Sequence, residues 1–415
     1  MKLELLTIGT ELLLGYTVDT NAVELGRALA AAGAELARRT TVPDRPDAIR
    51  AAVAEALDRT GFVLATGGLG PTRDDMTKTV VAELLGKRLV LDEPLLASLE
   101  TRFRRLGRPM PAINRTQAEV PEGATVLPNP RGTAPGLWLE DDRGRVVVLL
   151  PGVPREMRGL LIEEVLPRLS ARQDGECRVV LSRTVRTTGI AESALAERVG
   201  PIESSIAPLT LAYLPSVDGV DLRVTAWRLA PRDAETRLAR VVQQLVSAAG
   251  EHYYGADDAD LAAVVLDQLR HGRHRLGIAE SCSGGMVAER VTNIPGASDT
   301  FIGGVVAYAD VVKTAALKVP LETLEAYGAV SEETVRAMAE GAQRLFSADC
   351  TIAVTGIAGP GGGTPEKPVG TVWLAARVHT TAQAVKRLLP GDREEIRRRS
   401  AQAGLDLLRR VLAQS

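Results

Sequence analysis

Phe62-Val63-Leu64-Ala65-Thr66-Gly67-Gly68-Leu69-Gly70-Pro71-Thr72-Arg73-Asp74-Asp75 opens with five uncharged, largely apolar residues and breaks at a glycine pair. A short apolar run stopped by Gly-Gly predicts a buried strand, and the helical pattern from Asp75 to Leu85 makes it a strand-loop-helix unit. Upstream, Leu3 to Ile8 reads as a strand and Asn21 to Ala32 as an Ala/Leu-rich amphipathic helix. Downstream, Pro94 to Leu106 reads as a helix and Val146 to Leu150 as a buried strand stopping at Pro151-Gly152. Strands alternating with helices predict an α/β domain with a doubly wound sheet.

Two further units follow. From about residue 170 to 250, strands are expected at Arg178 to Thr187, Thr210 to Tyr213 and Leu222 to Trp227, with helices at Glu192 to Val199 and Asp233 to Ala249. This is a small α+β module without a clustered polar loop, which reads as a spacer or oligomerisation element. In the third unit a helix, Leu261 to Arg270, precedes a strand, Arg275 to Ala279, that runs straight into Glu280-Ser281-Cys282-Ser283-Gly284-Gly285. Later strands are expected at Val305 to Tyr308, Thr351 to Thr355 and Val369 to Ala375, and a last Arg-rich helix at Arg393 to Leu412. The expected domains are 1–169, 170–252 and 253–415, the third a three-layer α/β domain.

A chain of 415 residues exceeds what one core usually serves. With 45% hydrophobic residues, 25% charged residues and a net charge of -2, it has neither the basic footprint of a nucleic-acid binder nor, at 3% aromatics, its stacking platforms. Nucleic acid is therefore not an expected partner. The N-terminus lacks a secretory pattern and no apolar run reaches the roughly 20 residues of a membrane span, so a cytoplasmic protein without a membrane partner is expected. Cys177, Cys282 and Cys350 are an odd, widely spaced set that suits a reducing compartment and offers no zinc pattern.

The four histidines, His252, His271, His274 and His379, avoid the Gly-rich and Ser-rich loops, which disfavours a Ser-His-Asp triad. Lysines are scarce among many arginines: Lys2, Lys78, Lys87, Lys313, Lys318, Lys367 and Lys386. Arginine keeps its proton, whereas a desolvated lysine can lose it and act as a base.

Four loops could carry chemistry. Glu280 to Gly285 would put hydroxyls, a thiol and backbone N–H groups at a helix N-terminus, as a nucleophile mount or a phosphate cradle, unless Ser281 or Ser283 is only an N-cap. Tyr308 is expected at a strand end with Lys313 in the first turn of a helix beginning near Asp310, so that Lys313 could serve as base in a Ser-Lys pair or be an exposed helical lysine. Thr355-Gly356-Ile357-Ala358-Gly359 has glycines suited to close approach of a ligand or to a simple turn. In the first domain Gly67, Gly68 and Gly70 precede Asp74 and Asp75, a pattern suiting a phosphate beside Mg²⁺ or another divalent metal, although either acid could cap the next helix. Gly132 to Gly136 and Leu150 to Glu156 add further loops expected at strand ends.

Taken in order, these loops resemble the CinA family of competence/damage-inducible proteins over essentially the full length. Ile8-Gly9-Thr10-Glu11-Leu12-Leu13, Thr66 to Asp75 and Leu150 to Glu156 are similar to the MoaB/MogA molybdopterin-binding fold. Ala279-Glu280-Ser281-Cys282, Gly328-Ala329-Val330-Ser331-Glu332 and Thr355 to Gly370 are similar to nicotinamide mononucleotide amidohydrolases. The resemblance makes the middle module a KH-like element and implies a homodimer.

It also implies two activities on small nucleotides. One is deamidation of nicotinamide mononucleotide, needing no cofactor; the other is metal-dependent cleavage of ADP-ribose by the N-terminal domain. The implied catalytic set is Ser281, Ser298, Tyr308, Lys313 and Thr355, with Ser283, Gly284, Gly285, Gly356, Gly359 and Arg393 binding substrate. The implied N-terminal set is Thr10, Glu11, Asn21, Gly67, Gly68, Gly70, Thr133, Pro151 and Gly152. Ser283 stands where threonine, and Asp310 where asparagine, is frequent in the family. Either Ser281 or Ser298 would be the nucleophile and Lys313, uncharged through burial, the base. Rival readings make Cys282 the nucleophile through a thiol pKa depressed at the helix N-terminus, make the N-terminal domain a non-hydrolytic pterin binder, or make the protein a non-catalytic competence factor.

Overall fold

The computed structural model describes residues 1–172 and 178–414. Cys177 lies outside them, as does the residue stretch just before the expected strand at Arg178. The chain forms two compact units, Met1–Leu181 with Ala226–Glu235, and Ser182–Thr225 with Thr236 onward.

In the first unit the strands are β1 (Lys2–Ile8), β2 (Glu35–Val42), β3 (Phe62–Thr66), β4 (Leu89–Leu91), β5 (Glu119–Pro121), β6 (Thr125–Leu127), β7 (Gly136–Glu140) and β8 (Val146–Leu150). The main sheet has the order β2-β1-β3-β8-β7-β6. Its first four strands run parallel, and β7 and β6 are antiparallel. The sheet is mixed, not parallel throughout. Because β3 and β8 are buried along their whole length, both faces need apolar side chains. Alternation divides them: Leu3, Leu5, Leu64 and Val148 enter one core with Leu25 and Leu29 of helix Thr20–Ala31. Leu6, Ile8, Val63 and Val147 enter the other with Ile49 and Val53 of helix Pro46–Thr60. Each such side chain, fully buried, contributes roughly 1.5–3 kcal/mol.

The expected strands and helices of this unit appear within a few residues, but β2, helix Pro46–Thr60 and the helical run Pro154–Leu160, Leu161–Val165 and Leu166–Ala171 were not anticipated. The loop Gly132 to Gly136 lies in the connection between β6 and β7 and runs into β7.

The middle module is a sheet of order β10-β11-β9-β12, with β9 (Val179–Thr187), β10 (Thr210–Pro215), β11 (Val220–Leu229) and β12 (Tyr253–Ala256). Helices Glu192–Glu203 and Pro231–Ala249 accompany it.

The C-terminal sheet has the order β14-β13-β15-β16-β17, from β13 (Leu276–Glu280), β14 (Phe301–Val306), β15 (Cys350–Gly356), β16 (Thr371–Val378) and β17 (Thr381–Leu388). β14, β13 and β15 are parallel, and β16 and β17 complete a mixed sheet by antiparallel pairing. Ile278, Ile352, Val354 and Leu374 face helices Leu261–Gly272 and Arg393–Leu412 on one side. Ala279, Ala353 and Ala375 face helix Glu332–Phe346 on the other, giving three layers. One strand boundary is corrected: β14 is Phe301–Val306, so Tyr308 lies two residues beyond it. No helix among the described residues is long and apolar enough to cross a membrane.

Candidate active site

Three parallel strands of the C-terminal sheet deliver polar residues to one edge. Ser281 follows β13, Tyr308 and Lys313 follow β14, and Thr355 and Gly356 end β15. The loops are tied across the edge, since Ala307 N–H donates to the Glu280 carbonyl at 2.7 Å and Ser281 N–H to the Val354 carbonyl at 2.8 Å. Strands about 4.8 Å apart therefore release Ser281 and the Tyr308–Lys313 segment side by side.

Of the alternatives for this loop, the structure does not adopt capping by Ser281 or Ser283. Glu280, 1% exposed, turns its carboxylate onto the backbone N–H groups of Gly285, Val287 and Ala288 at 3.0, 3.1 and 2.9 Å. It fills the anion-seeking N-terminus of helix Met286–Thr292 and leaves both serine hydroxyls uncommitted. Ser283 Oγ is buried without a hydrogen-bond partner, and no hydrogen bond engages Ser281 Oγ among the described residues. Gly284 has φ +63, where side chains are disfavoured, and Arg397 grips the turn by donating to the Ser283 carbonyl through Nε and Nη2 at 3.2 and 3.1 Å. The sequence reading did not find Arg397; its signal was only its place one turn beyond Arg393.

Lys313 is among the most enclosed side chains of the protein, 1% exposed. Its Nζ donates to the Tyr308 carbonyl at 3.0 Å and to Asp310 Oδ1 at 3.1 Å. It is thus no solvated helical lysine, although no hydrogen bond links it to Ser281, Ser283 or Ser298. Asp310, noted only as a departure from the family pattern, supplies its carboxylate partner. Tyr308 is exposed and its hydroxyl accepts from Arg393 Nη2 at 3.1 Å, while Arg393 Nη1 reaches the Gly359 carbonyl at 2.5 Å. Arg393 therefore draws the Tyr308 and Gly359 loops together. Beside it lies a depression of about 500 Å³ lined by Ala358, Pro360, Val369, Gly391 and Asp392. Thr355 is buried and donates to the Ala329 carbonyl at 2.7 Å, fastening its own strand end.

Two expectations fail. Ser298 lies exposed before the first residue of β14, where Leu276 N–H meets the Thr300 carbonyl, at the opposite end of the strands from Ser281. A five-residue strand, roughly 16 Å at 3.3 Å per residue, separates the two ends. Cys282 packs into the apolar core, and burial pushes its thiol up to about 12, opposite to the depression expected at a helix N-terminus.

The N-terminal domain builds a similar edge from β1, β3 and β8. Thr10 follows β1, and Asp44 accepts from its N–H and hydroxyl at 2.7 and 3.0 Å; Glu11 beside it is exposed. Gly67, at φ +113, would bring a Cβ within 2.1 Å of the Ile8 carbonyl oxygen, and a Cβ on Gly68 would meet Thr77 Oγ1 at 2.1 Å. Asn21 stitches the edge by donating to the Gly152 carbonyl at 2.7 Å and to Thr66 Oγ1, which donates to the Pro151 carbonyl at 2.9 Å. Asn21 Oδ1 and Thr77 Oγ1 are buried and unpartnered.

Neither Asp74 nor Asp75 caps helix Thr77–Leu84, which has no side-chain cap. Asp75 accepts from the Thr72 N–H and hydroxyl at 2.9 and 2.5 Å and sits under Gly70. Among the described residues no three His, Cys, Asp or Glu side chains cluster as a metal cage. Thr133 does not join this edge; it lines a separate cleft with Leu95, Arg102 and Asn129.

The architecture defines a multidomain α/β protein with a MoaB-like N-terminal domain and polar, glycine-containing loops at parallel strand ends. Sequence profiles described as a probable molybdopterin binding domain, the damage-inducible protein CinA KH domain and the CinA C-terminal domain match residues 4–171, 182–255 and 258–412. The chain belongs to the CinA family. A CinA-like protein of Gemmatimonas aurantiaca is 54% identical over 414 residues, covering 100% of this chain and 97% of that one. A CinA-like protein of Gloeobacter violaceus is 44% identical over 411 residues, covering 99% and 96%. A crystal structure of the competence/damage inducible protein CihA from Agrobacterium tumefaciens is 38% identical over 37% of this chain and 94% of its own, with a TM-score of 0.36.

Proposed function

We propose that the C-terminal domain hydrolyses the carboxamide of nicotinamide mononucleotide, with Ser281 as nucleophile and Lys313 as base. The observation that carries this reading is the enclosed Lys313 amine, on the helix Asp310–Leu317 that follows β14, the strand paired with β13, which leads into Ser281. Acting as base, the Lys313 amine takes the Ser281 hydroxyl proton as Oγ attacks the carboxamide carbon. That proton passes to the amide nitrogen as the C–N bond breaks, leaving ammonia and an acyl-serine. Water, deprotonated by the same amine, cleaves the ester and gives nicotinate mononucleotide. Glu280 already occupies N–H groups of its helix, so oxyanion donors are sought among the remaining amides of the Ser281 and Gly356 loops. Arg393 is suited to the substrate's phosphate.

The test measures ammonia released from nicotinamide mononucleotide by wild-type protein and by folded variants. Ser281→Ala and Lys313→Met should each lose about 10²–10⁴-fold, while Ser298→Ala keeps near-native turnover. Near-native activity in Lys313→Met, or loss in Ser298→Ala alone, would overturn the assignment.

For the N-terminal domain we infer cleavage of ADP-ribose at its pyrophosphate. Support comes from the unpartnered Asn21 Oδ1 and Thr77 Oγ1 beside the Gly67-Gly68 turn. Asp74 and Asp75 would hold Mg²⁺ or another divalent ion, whose remaining positions suit water and phosphate oxygens; when bound, it would neutralise charge on the phosphoryl group. AMP production from ADP-ribose with and without Mg²⁺, and its loss in Asp74→Asn/Asp75→Asn, tests this reading; a chain that binds ADP-ribose but forms no AMP is a binder only.

A further inference from the structure

A cavity of about 280 Å³ lies inside the second unit, between the loops of the KH-like module and one face of the C-terminal domain. Thr188 to Ala191 and Val217 to Gly219 form one wall. The other is made by β16, β17, the residue after them, Leu389, and the middle of helix Arg393–Leu412. None of the residues assigned to either active edge lines it.

Its polar groups are dominated by donors. Gln402, 3% exposed, lines the cavity, and Arg290 Nη1 donates to its Oε1 at 2.6 Å. That contact fixes which end of the amide is the acceptor and leaves Nε2 buried without a partner. Arg399 Nε is likewise buried and unpartnered, and no carboxylate pairs with this guanidinium among the described residues. Among the described residues Arg387, exposed on β17, has a single hydrogen bond, to the Lys386 carbonyl at 3.2 Å. Arg410 is the third lining arginine. The two lining acids are already engaged: Asp406 binds Arg409 and Arg410, and Asp218 faces Arg398 at 3.5 Å. Two lining guanidinium groups without a carboxylate partner among the described residues and one lining amide with an unmet N–H group thus border this space.

Leaving donors unmet is costly, so a cavity that collects them favours an anion. We propose that this cavity is a binding site for a small phosphate monoester, held by Arg399, Arg387 and Gln402. Two uncompensated guanidinium groups match a dianion, and planar guanidinium groups suit its oxygens. The volume is just below that of ordinary cofactor pockets, which excludes a dinucleotide. Occupancy would brace the KH-like loops against the helix that carries Arg393, six residues or about 9 Å from Arg399.

The probe is inorganic phosphate, titrated calorimetrically into the full chain, with acetate as the monoanionic control. Phosphate can also meet Arg393, so the number of sites and their assignment are read from three variants. Wild type should show a phosphate site that acetate does not fill. Arg387→Gln, at an exposed position that leaves folding intact, and Gln402→Leu, close to isosteric, should each weaken that site at least 10-fold, and Arg393→Gln should leave it unchanged. Equal phosphate binding in wild type and Arg387→Gln, or loss confined to Arg393→Gln, would overturn the proposal. Because nicotinamide mononucleotide turnover is not the readout, failure here and failure of the amidohydrolase reading are told apart.

Discussion

Glu280 shows how a residue can be quoted in a motif and still be misjudged. The string Glu-Ser-Cys-Ser-Gly-Gly admits a serine cap as readily as a nucleophile mount or a phosphate cradle, because short hydroxyls often cap helices. Here the chain leaves β13 through Glu280, whose longer side chain reaches Gly285, Val287 and Ala288 and preserves the serines for other partners. Charge-assisted bonds to a buried carboxylate are worth about 1.5–3 kcal/mol each in favourable cases. Glu280→Gln, which keeps the shape but removes the charge, should lower stability by about 2 kcal/mol in urea titration and reduce amidohydrolase turnover as the loop shifts. An unchanged midpoint would show that the carboxylate does not hold the turn. The rival reading of Cys282 as nucleophile fails for the complementary reason: sequence locates a thiol near a helix start but not the core it faces. With its thiol pushed up to about 12, only about one molecule in ten thousand carries the thiolate at pH 8. Iodoacetamide at that pH should leave Cys282 unmodified in native protein, as read by mass spectrometry of its peptide, and Cys282→Ala should retain turnover.

At the scale of elements, buried strands were the most legible. Phe62–Thr66 and Val146–Leu150 are uninterrupted apolar runs because both sheet faces are covered. Edge strands were not: β2 carries Arg38, Arg39, Thr40 and Thr41 toward solvent or half-burial, and β17 alternates Gln383, Lys386 and Arg387 with half-buried Ala382 and Val385. β14 was shifted because Gly303 and Gly304 contribute no side chain to the alternation, and Phe346 closes on Gly303 where a Cβ would stand. Helix Thr77–Leu84 was expected, but not that its Lys78 points inward, with Nζ bonded to the Thr116 carbonyl. Burial lowers this amine to about 8, partly offset by Glu119 and Asp75. Its folded value is below its unfolded one, so the charged form is disfavoured in the native state. The penalty is complete below pH 8 and fades as pH rises toward the unfolded value near 10.4. Wild type should therefore gain stability relative to Lys78→Met between about pH 8 and 10, by up to about 1.4 kcal/mol per pH unit. Parallel urea midpoints for the two proteins across that window would refute the inward, desolvated lysine.

Across the whole molecule, the order of the three parts was legible because each begins with its own strand or helix pattern, but nothing in the sequence disclosed what fastens the KH-like module to the C-terminal domain. The fastening is ionic and mostly buried. Asp406, near the end of helix Arg393–Leu412, accepts from Arg409 Nη2 at 2.7 Å and from Arg410 Nε at 2.8 Å. Arg409 then reaches the Glu251 carbonyl at 2.5 Å, Arg410 pairs with Glu251 at 2.8 Å, and Arg410 Nη2 lies 3.3 Å from His252 Nδ1, which contacts the Thr188 carbonyl. These arginines resemble the rest of an Arg-rich helix in sequence, and only burial separates them from solvated ones. Removing one partner of a buried ion pair usually costs about 3–5 kcal/mol, since the remaining charge is left without compensation. Asp406→Ala should therefore destabilise the second unit by an amount of that order and speed hydrogen exchange in Val185–Thr187 and Tyr253–Ala256, the paired segments of β9 and β12. Exchange in β1 and β3, which belong to a different core, should not change. Faster exchange in all of these strands alike would mean that the network supports the chain as one cooperative body, and no change in β12 would mean that the apolar contacts alone suffice to hold the module.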